Sequence, residues 1–248
     1  MWKWGFRTGL PAVVLIVITG LAGCSAQAVK ARPPPVPVDE TAVLAALAPG
    51  LPRSAISEAL AAVDCAKAKG IATSAQRLAI VDYSRPSREQ RLWVFDLERY
   101  SVLFRDYVAH GRGSGLDLAT AFSNRNSSHQ TSLGLFLTDQ TYQGGNGYSL
   151  KLHGLSGPLN DLAFERKIVM HGAGYVDPDA ARRQGRLGRS FGCPALRPQV
   201  ARRIIDTLKE GQFLYAYGPG SRAAARCTTV ALASRDTARP TPMLRAAR

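Results

Sequence analysis

Histidine, cysteine and methionine are scarce in this chain of 248 residues, at four, four and three. None of the histidines and cysteines stands at the spacing of a known metal motif. A zinc ion held by His110, His171 and Cys193 would use up the thiol, so no metal centre or other cofactor is expected. Acids are also few, 18 against 32 lysines and arginines, which leaves a formal net charge of +14. Such a balance suits anionic surroundings, and it suits a solvated, self-repelling surface equally well. It does not suit nucleic acid here, because no Lys/Arg-rich run, zinc-finger pattern or RNA-recognition signature accompanies it. The Gly-rich His110-Gly111-Arg112-Gly113-Ser114-Gly115 lacks the Gly-Lys-Ser/Thr ending of a phosphate-binding loop. No internal repeat is visible. The apolar run Leu10 to Leu21 is too short for a comfortable membrane-spanning helix. What is present is a hydrophobic fraction of 46%, the composition of a globular protein, and enough chain for one domain with flexible ends.

The first 23 residues carry Lys3 and Arg7 without an acid, then the apolar run, then Leu21-Ala22-Gly23-Cys24. A basic start, a short apolar middle and a small-residue end read as an export signal. The Leu-Ala-Gly-Cys ending resembles the bacterial lipoprotein signal, which implies lipidation at Cys24 and a membrane anchor through acyl chains. A plain signal peptide ending near a cysteine is the alternative. Ser25 follows the lipidated position, where absence of Asp implies delivery to the outer membrane if the cell is Gram-negative. Export leaves Cys65, Cys193 and Cys227, an odd number that points to one leftover thiol. A bridge between Cys65 and Cys227 would tie an N-terminal helix to the C-terminal tail; two separate buried thiols are the other reading.

The chain divides into a signal (1–23), a Pro-rich linker (24–50), an N-terminal helix region (51–74), a main domain (75–218) and a basic, disordered tail (219–248). Arg32-Pro33-Pro34-Pro35-Val36-Pro37 makes the linker a stiff extended spacer. Ile56, Leu60, Val63 and Ala66 recur at helical spacing behind a Ser54 cap, which predicts a helix from Ser54 to about Lys69. Strands are expected at 78–83, 91–97, 102–109, 133–138, 148–152, 168–170 and 212–217. Helical signal returns at 160–167 and 197–208. The fold class is therefore mainly β: a curved, largely antiparallel, sandwich-like sheet with a few short helices.

Gly188-Arg189-Ser190-Phe191-Gly192-Cys193-Pro194-Ala195 places a cysteine after a glycine that can turn tightly and before a stiffening proline. A thiol nucleophile needs a base or a positive field, and backbone donors for the oxyanion. Arginines crowd this stretch in sequence, and His171 follows the apolar Ile168-Val169-Met170 at a strand end. A lone histidine there reads as well as a structural residue; the cysteine 22 residues later favours a base. His110 ends another strand and opens the Gly-rich turn, where it either faces substrate or holds the turn. Asn124, beside Ser123, either lines a pocket or makes a turn. His129 and His153 are placed on the surface or sheet.

His171-Gly172 followed by Ser190-Phe191-Gly192-Cys193 resembles the catalytic motif of the L,D-transpeptidase family, the YkuD-type cysteine transpeptidases. Phe122-Ser123-Asn124, Ser132-Leu133-Gly134, Gly147-Tyr148-Ser149-Leu150 and Gly185-Arg186-Leu187-Gly188, with the His110–Gly115 stretch, resemble its murein L,D-transpeptidase branch over residues 75–217. The resemblance implies a cysteine acyltransferase of peptidoglycan stem peptides that releases D-Ala and forms 3→3 cross-links. It implies Cys193 as nucleophile and His171 as base, with its second nitrogen oriented by a carbonyl near Gly172. It also implies Gly192 and Cys193 amides as oxyanion donors, and Ser190 beside the pair. Arg189 and Arg197 become substrate-side candidates with His110 and Asn124. The commoner motif has His where this chain has Phe191, and Arg where it has Ala195. Hydrolysis of the same thioester, and a lipid-anchored wall-binding module without catalysis, stay open as alternatives.

Overall fold

A computed structural model describes residues 38–222. Two helices come first, α1 (Glu40–Leu47) and α2 (Arg53–Ala68). The strands β1 (Arg77–Asp82), β2 (Leu92–Asp96), β3 (Ser101–Asp106), β4 (Val108–Ala109), β5 (Gly134–Gly144), β6 (Gly147–Gly154) and β7 (Val169–Gly172) follow. Then come α3 (Pro178–Gln184), β8 (Ala195–Leu196), α4 (Pro198–Leu208) and β9 (Phe213–Tyr217). The nine strands form one sheet in the order β3-β2-β1-β9-β5-β6-β7-β8-β4. Pairings are antiparallel except β1 with β9 and β7 with β8, which are parallel.

Chain connectivity bends this sheet round. β3 and β4 lie at opposite edges, yet only Tyr107 separates them in sequence. The two edges must therefore meet at Asp106–Val108, and the sheet is a nearly closed, curved wall. Polar contacts reinforce the seam. Arg91 donates from Nε and Nη2 to the Val108 carbonyl at 3.0 and 2.9 Å. Arg197 grips the Asp106 carboxylate through Nε and Nη2 at 2.7 and 2.6 Å.

Two-residue alternation sorts the strand side chains to two cores. Leu78, Ile80, Trp93, Phe95, Leu135, Leu137, Phe213 and Tyr215 face α1 and α2. Their chain neighbours Ala79, Val81, Leu92, Val94, Phe136, Leu214 and Ala216 face inward. Helix α4 fills that inner side with Ala201, Ile204, Ile205 and Leu208, a one-sided 3,4 spacing. Buried on both faces, β1 reads in sequence as an unbroken apolar run instead of an alternation.

The expected mainly-β, curved sheet with few helices is the observed architecture. Local details differ. Glu40–Leu47, read from sequence as linker, is helix α1, because Asp39 accepts a cap bond from the Ala42 amide at 3.0 Å. Ser54 does not cap α2; Pro52 occupies that position, and the Ser54 hydroxyl instead pairs with Tyr217 Oη at 2.9 Å. The segment 160–167 makes turns in place of a helix. Its chain is pinned by Asn160, whose side chain accepts from Ser156 N and donates to Leu135 O, both at 2.8 Å. Cys65 is disulfide-bonded. Cys24, Cys227 and all of 1–37 and 223–248 lie outside the described residues, and with them the signal, the lipidation site and most of the linker and tail. No helix among the described residues is long and apolar enough to cross a membrane.

Candidate active site

The parallel pair β7–β8 builds the site. His171 is in register with Ala195, and Gly172 with Leu196. Cys193 lies two residues before Ala195 in the chain, as Val169 lies two before His171, so the β7–β8 pairing brings the thiol segment alongside the strand that carries His171. The Cys193 thiol meets the amide of Val169 and lies 3.8 Å from the Lys167 carbonyl. Both residues are nearly enclosed, Cys193 at 8% exposure and His171 at 4%. Cys193 is the free cysteine of the described residues.

The loop that carries the thiol is hung from the far edge of the sheet. Gly111 and Ser190 form a parallel bridge. Ser190 N donates to His110 O at 2.9 Å, and Arg112 N donates to Ser190 O at 2.8 Å. Within the loop, the Ser190 hydroxyl donates to Cys193 O at 2.7 Å and accepts from Gly192 N at 3.1 Å. Gly192 has φ +125°, and a Cβ there would stand 2.9 Å from Gln130 O. Only glycine fits such a crossing without strain. Thr131 completes the frame, accepting from Gly111 N at 2.9 Å and lying 3.4 Å from Gly192 O.

Electrostatics follow from burial. His171 Nδ1 is 3.0 Å from the Gly172 carbonyl. A carbonyl only accepts, so Nδ1 carries the proton and Nε2 keeps its lone pair. Burial pulls the His171 pKa below its usual value, partly offset by that bond to Gly172. Burial also pushes the Cys193 thiol up, opposed by the Val169 amide and by the Arg166 guanidinium. Burial thus works against charge on both the imidazole and the thiol. The arrangement can deprotonate a thiol as it attacks a carbonyl.

Several sequence-derived roles change. Gly192 N–H donates to Ser190 Oγ within the loop. His110 is fully buried and cannot touch a substrate. Its Nδ1 accepts from Arg91 Nη2 at 2.8 Å and its Nε2 faces Gly115 O at 3.4 Å. Burial and the Arg91 charge lower its pKa to about 4. Asn124 is a staple between two loops, donating to Pro158 O and Asp161 Oδ1 and accepting from Leu162 N. Arg197 is no free carboxylate clamp, because Asp106 occupies its guanidinium. Arg189 spends Nη1 on the carbonyls of Gly115, at 2.9 Å, and Arg112, at 3.2 Å. Phe191 stands 62% exposed, its ring against His129 and the Arg112 guanidinium.

Two residues escaped the sequence reading. Thr131 sits in a polar stretch with nothing to mark it. Arg166 ends a run of turn-forming residues and belongs to no motif, yet its Nη2 comes within 3.5 Å of where a Gly192 Cβ would be. Among the described residues no group of three His, Cys, Asp or Glu side chains comes together in a way that could hold a metal.

Residues 47–217 match the L,D-transpeptidase catalytic domain family. Among solved structures, an L,D-transpeptidase from Mycobacterium smegmatis is 15% identical, over 58% of this chain and 59% of that one, with a TM-score of 0.37. L,D-transpeptidase 1 of Mycobacterium tuberculosis is 14% identical over 58% and 62%, with a TM-score of 0.33. An L,D-transpeptidase from Stackebrandtia nassauensis is 15% identical over 73% and 89%, with a TM-score of 0.35. The alignments thus span about three-fifths of the two mycobacterial chains. The comparison with curated proteins found no match. The family match takes in well over half of the sequence and both the His171 and Cys193 segments, and the chain belongs to the L,D-transpeptidase catalytic domain family.

Proposed function

We propose that this protein is a peptidoglycan L,D-transpeptidase that works through a Cys193 thioester. The observation that supports the reading is the β7–β8 pairing, which brings the segment carrying a free thiol alongside the strand carrying a histidine whose Nδ1 is held by Gly172. Family membership supports a peptidoglycan stem-peptide substrate, and we take the donor to be a stem tetrapeptide.

Cys193 Sγ attacks the carbonyl at the L-centre of the donor's diamino acid, and its proton passes to His171 Nε2. The C–N bond to D-Ala then breaks, the amine leaving with that proton, and a thioester remains. The side-chain amine of a second stem attacks the thioester. The C–S bond breaks, the new 3→3 amide forms, and the amine's proton returns through His171 to the sulfur. The oxyanion is met by the Cys193 amide.

In this reading residues 1–24 export the chain and anchor it by lipidation at Cys24. The enzyme then acts on the periplasmic face, at the outer membrane in a Gram-negative cell. The excess of basic residues suits an anionic envelope.

Incubation with disaccharide tetrapeptide, read by mass spectrometry, tests the function. Cross-linked dimer with loss of one D-Ala is the expected product. Tripeptide alone would make the protein a hydrolase of the same thioester. No turnover, with unchanged binding by Cys193→Ala, would leave a wall-binding module.

A further inference from the structure

Arg166 lies in the turn just before β7, and its guanidinium is held on four sides. Nη1 donates to Ser123 O at 2.7 Å and to the Ser132 hydroxyl. Nη2 donates to Gln130 O at 2.8 Å and to Ser128 Oγ at 3.2 Å. All four acceptors are uncharged. Most paired arginines of the described residues meet a carboxylate, as Arg77, Arg85, Arg88, Arg99, Arg182 and Arg197 do. No carboxylate ion-pairs with Arg166 among the described residues.

A partly buried guanidinium without an acid keeps its full positive field in a medium that screens it poorly. That field lies beside the thiol loop: Nη2 stands 3.5 Å from where a Cβ on Gly192 would be, and it binds Gln130 O, which lies 2.9 Å from the same point. We propose that Arg166 is a positioning residue for Cys193: it clamps the 123–132 segment against the thiol loop and stands as the fixed cation that favours the attacking thiolate.

The other groups around the sulfur cannot take this role. Burial disfavours the charged form of His171, so it is no fixed cation. Tyr83 and Tyr175 feel the Cys193 charge, but neither supplies a cation, and burial pushes both phenols up. Arg189 is turned to the carbonyls of Arg112 and Gly115. Arg91 is committed to His110, Arg85 O and Val108 O. Arg166 is the residue whose charge opposes the burial of the thiol, and Cys193 is the charge partner that Arg166 feels in return.

The inference rests on Cys193 as nucleophile, and its test avoids turnover, so the two fail separately. Alkylation of Cys193 by neutral iodoacetamide and by anionic iodoacetate is followed across neutral to alkaline pH. Wild type, Arg166→Gln and Arg166→Lys are compared, with thermal unfolding to show that each is folded. Below the thiol midpoint, loss of about one pKa unit of thiolate stabilisation makes Arg166→Gln roughly tenfold slower with iodoacetamide. Iodoacetate should slow further, and Arg166→Lys should recover most of both rates. Two results would overturn the proposal: rates within about twofold of wild type in the Gln variant, or equal slowing of both reagents in the Gln and Lys variants alike. Should the Gln variant not fold, wild type decides. Its iodoacetate preference over a free cysteine peptide must exceed one and fade as salt screens it; a preference equal to the peptide's overturns the idea. Normal alkylation behaviour with no turnover on tetrapeptide would leave the Arg166 role standing and remove the transpeptidase reading.

Discussion

Two histidines in this chain sit at strand ends, each followed by glycine, each enclosed, and they serve opposite ends. His110 closes β4 and spends both ring nitrogens, on Arg91 and on Gly115. His171 closes β7 and spends only Nδ1, on the carbonyl of Gly172. The first has no lone pair left to offer and a positive neighbour that keeps it neutral. The second has no hydrogen-bond partner for Nε2 among the described residues. Burial lowers the pKa of both. What separates the two histidines is the count of partners, not the depth, and the proposed base is the one with a nitrogen to spare.

The comparison can be broken most sharply at His171. His171→Asn removes the base and should lower turnover by about 10²- to 10⁴-fold, with a melting temperature close to wild type. His110→Ala should do the reverse, costing about 2–3 kcal/mol of stability by leaving Arg91 with an unmet donor in a cavity. Its turnover per folded molecule should stay within about tenfold; equal kinetic losses in the two variants would erase the distinction.

Acid sharpens the same contrast. The folded-state pKa of His110 is lowered to about 4, below the usual histidine value of 6.5. Its contribution to stability is therefore complete above about pH 6.5 and is lost as pH falls towards 4. Melting temperatures of wild type should drop across that window more steeply than those of His110→Gln. His171 shifts in the same direction, so only the difference between the two proteins isolates His110. The smallest effect is expected at the seam: Arg197→Ala strands the Asp106 carboxylate and should cost about 1–2 kcal/mol, the arginine side being partly exposed. KM for the tetrapeptide should not move, because this arginine binds Asp106 and not substrate.

Much of this was legible in the residues. The apolar β1 and β9 runs, the 3,4 spacing of α4 and the strand before His171 are all short-range patterns, and each stands where periodicity placed it. The thiol and the histidine stood out as candidates because both residue types are rare in this chain and carry glycines beside them. Partner counts were not legible. Whether His110 faces substrate or Arg91, 19 positions earlier, depends on how the sheet curls until its two edges meet. Asn124 and Arg197 look like pocket residues in sequence for the same reason: their partners, Asp161 and Asp106, lie 37 and 91 positions away. The Gly192 amide seemed free until the Ser190 hydroxyl turned back to meet it. Arg166 carried no local signal at all, since what distinguishes it is the lack of an acid in a folded neighbourhood.

The central claim is that the Cys193 thiol is the nucleophile and His171 its base. The most direct test mixes the protein with a carbapenem, which acylates reactive thiols, and maps the adduct by peptide mass spectrometry. The account predicts one adduct, on Cys193, absent from Cys193→Ala and formed at least about a hundredfold more slowly in His171→Asn. Labelling that persists in Cys193→Ala, or an undiminished rate in His171→Asn, would contradict it.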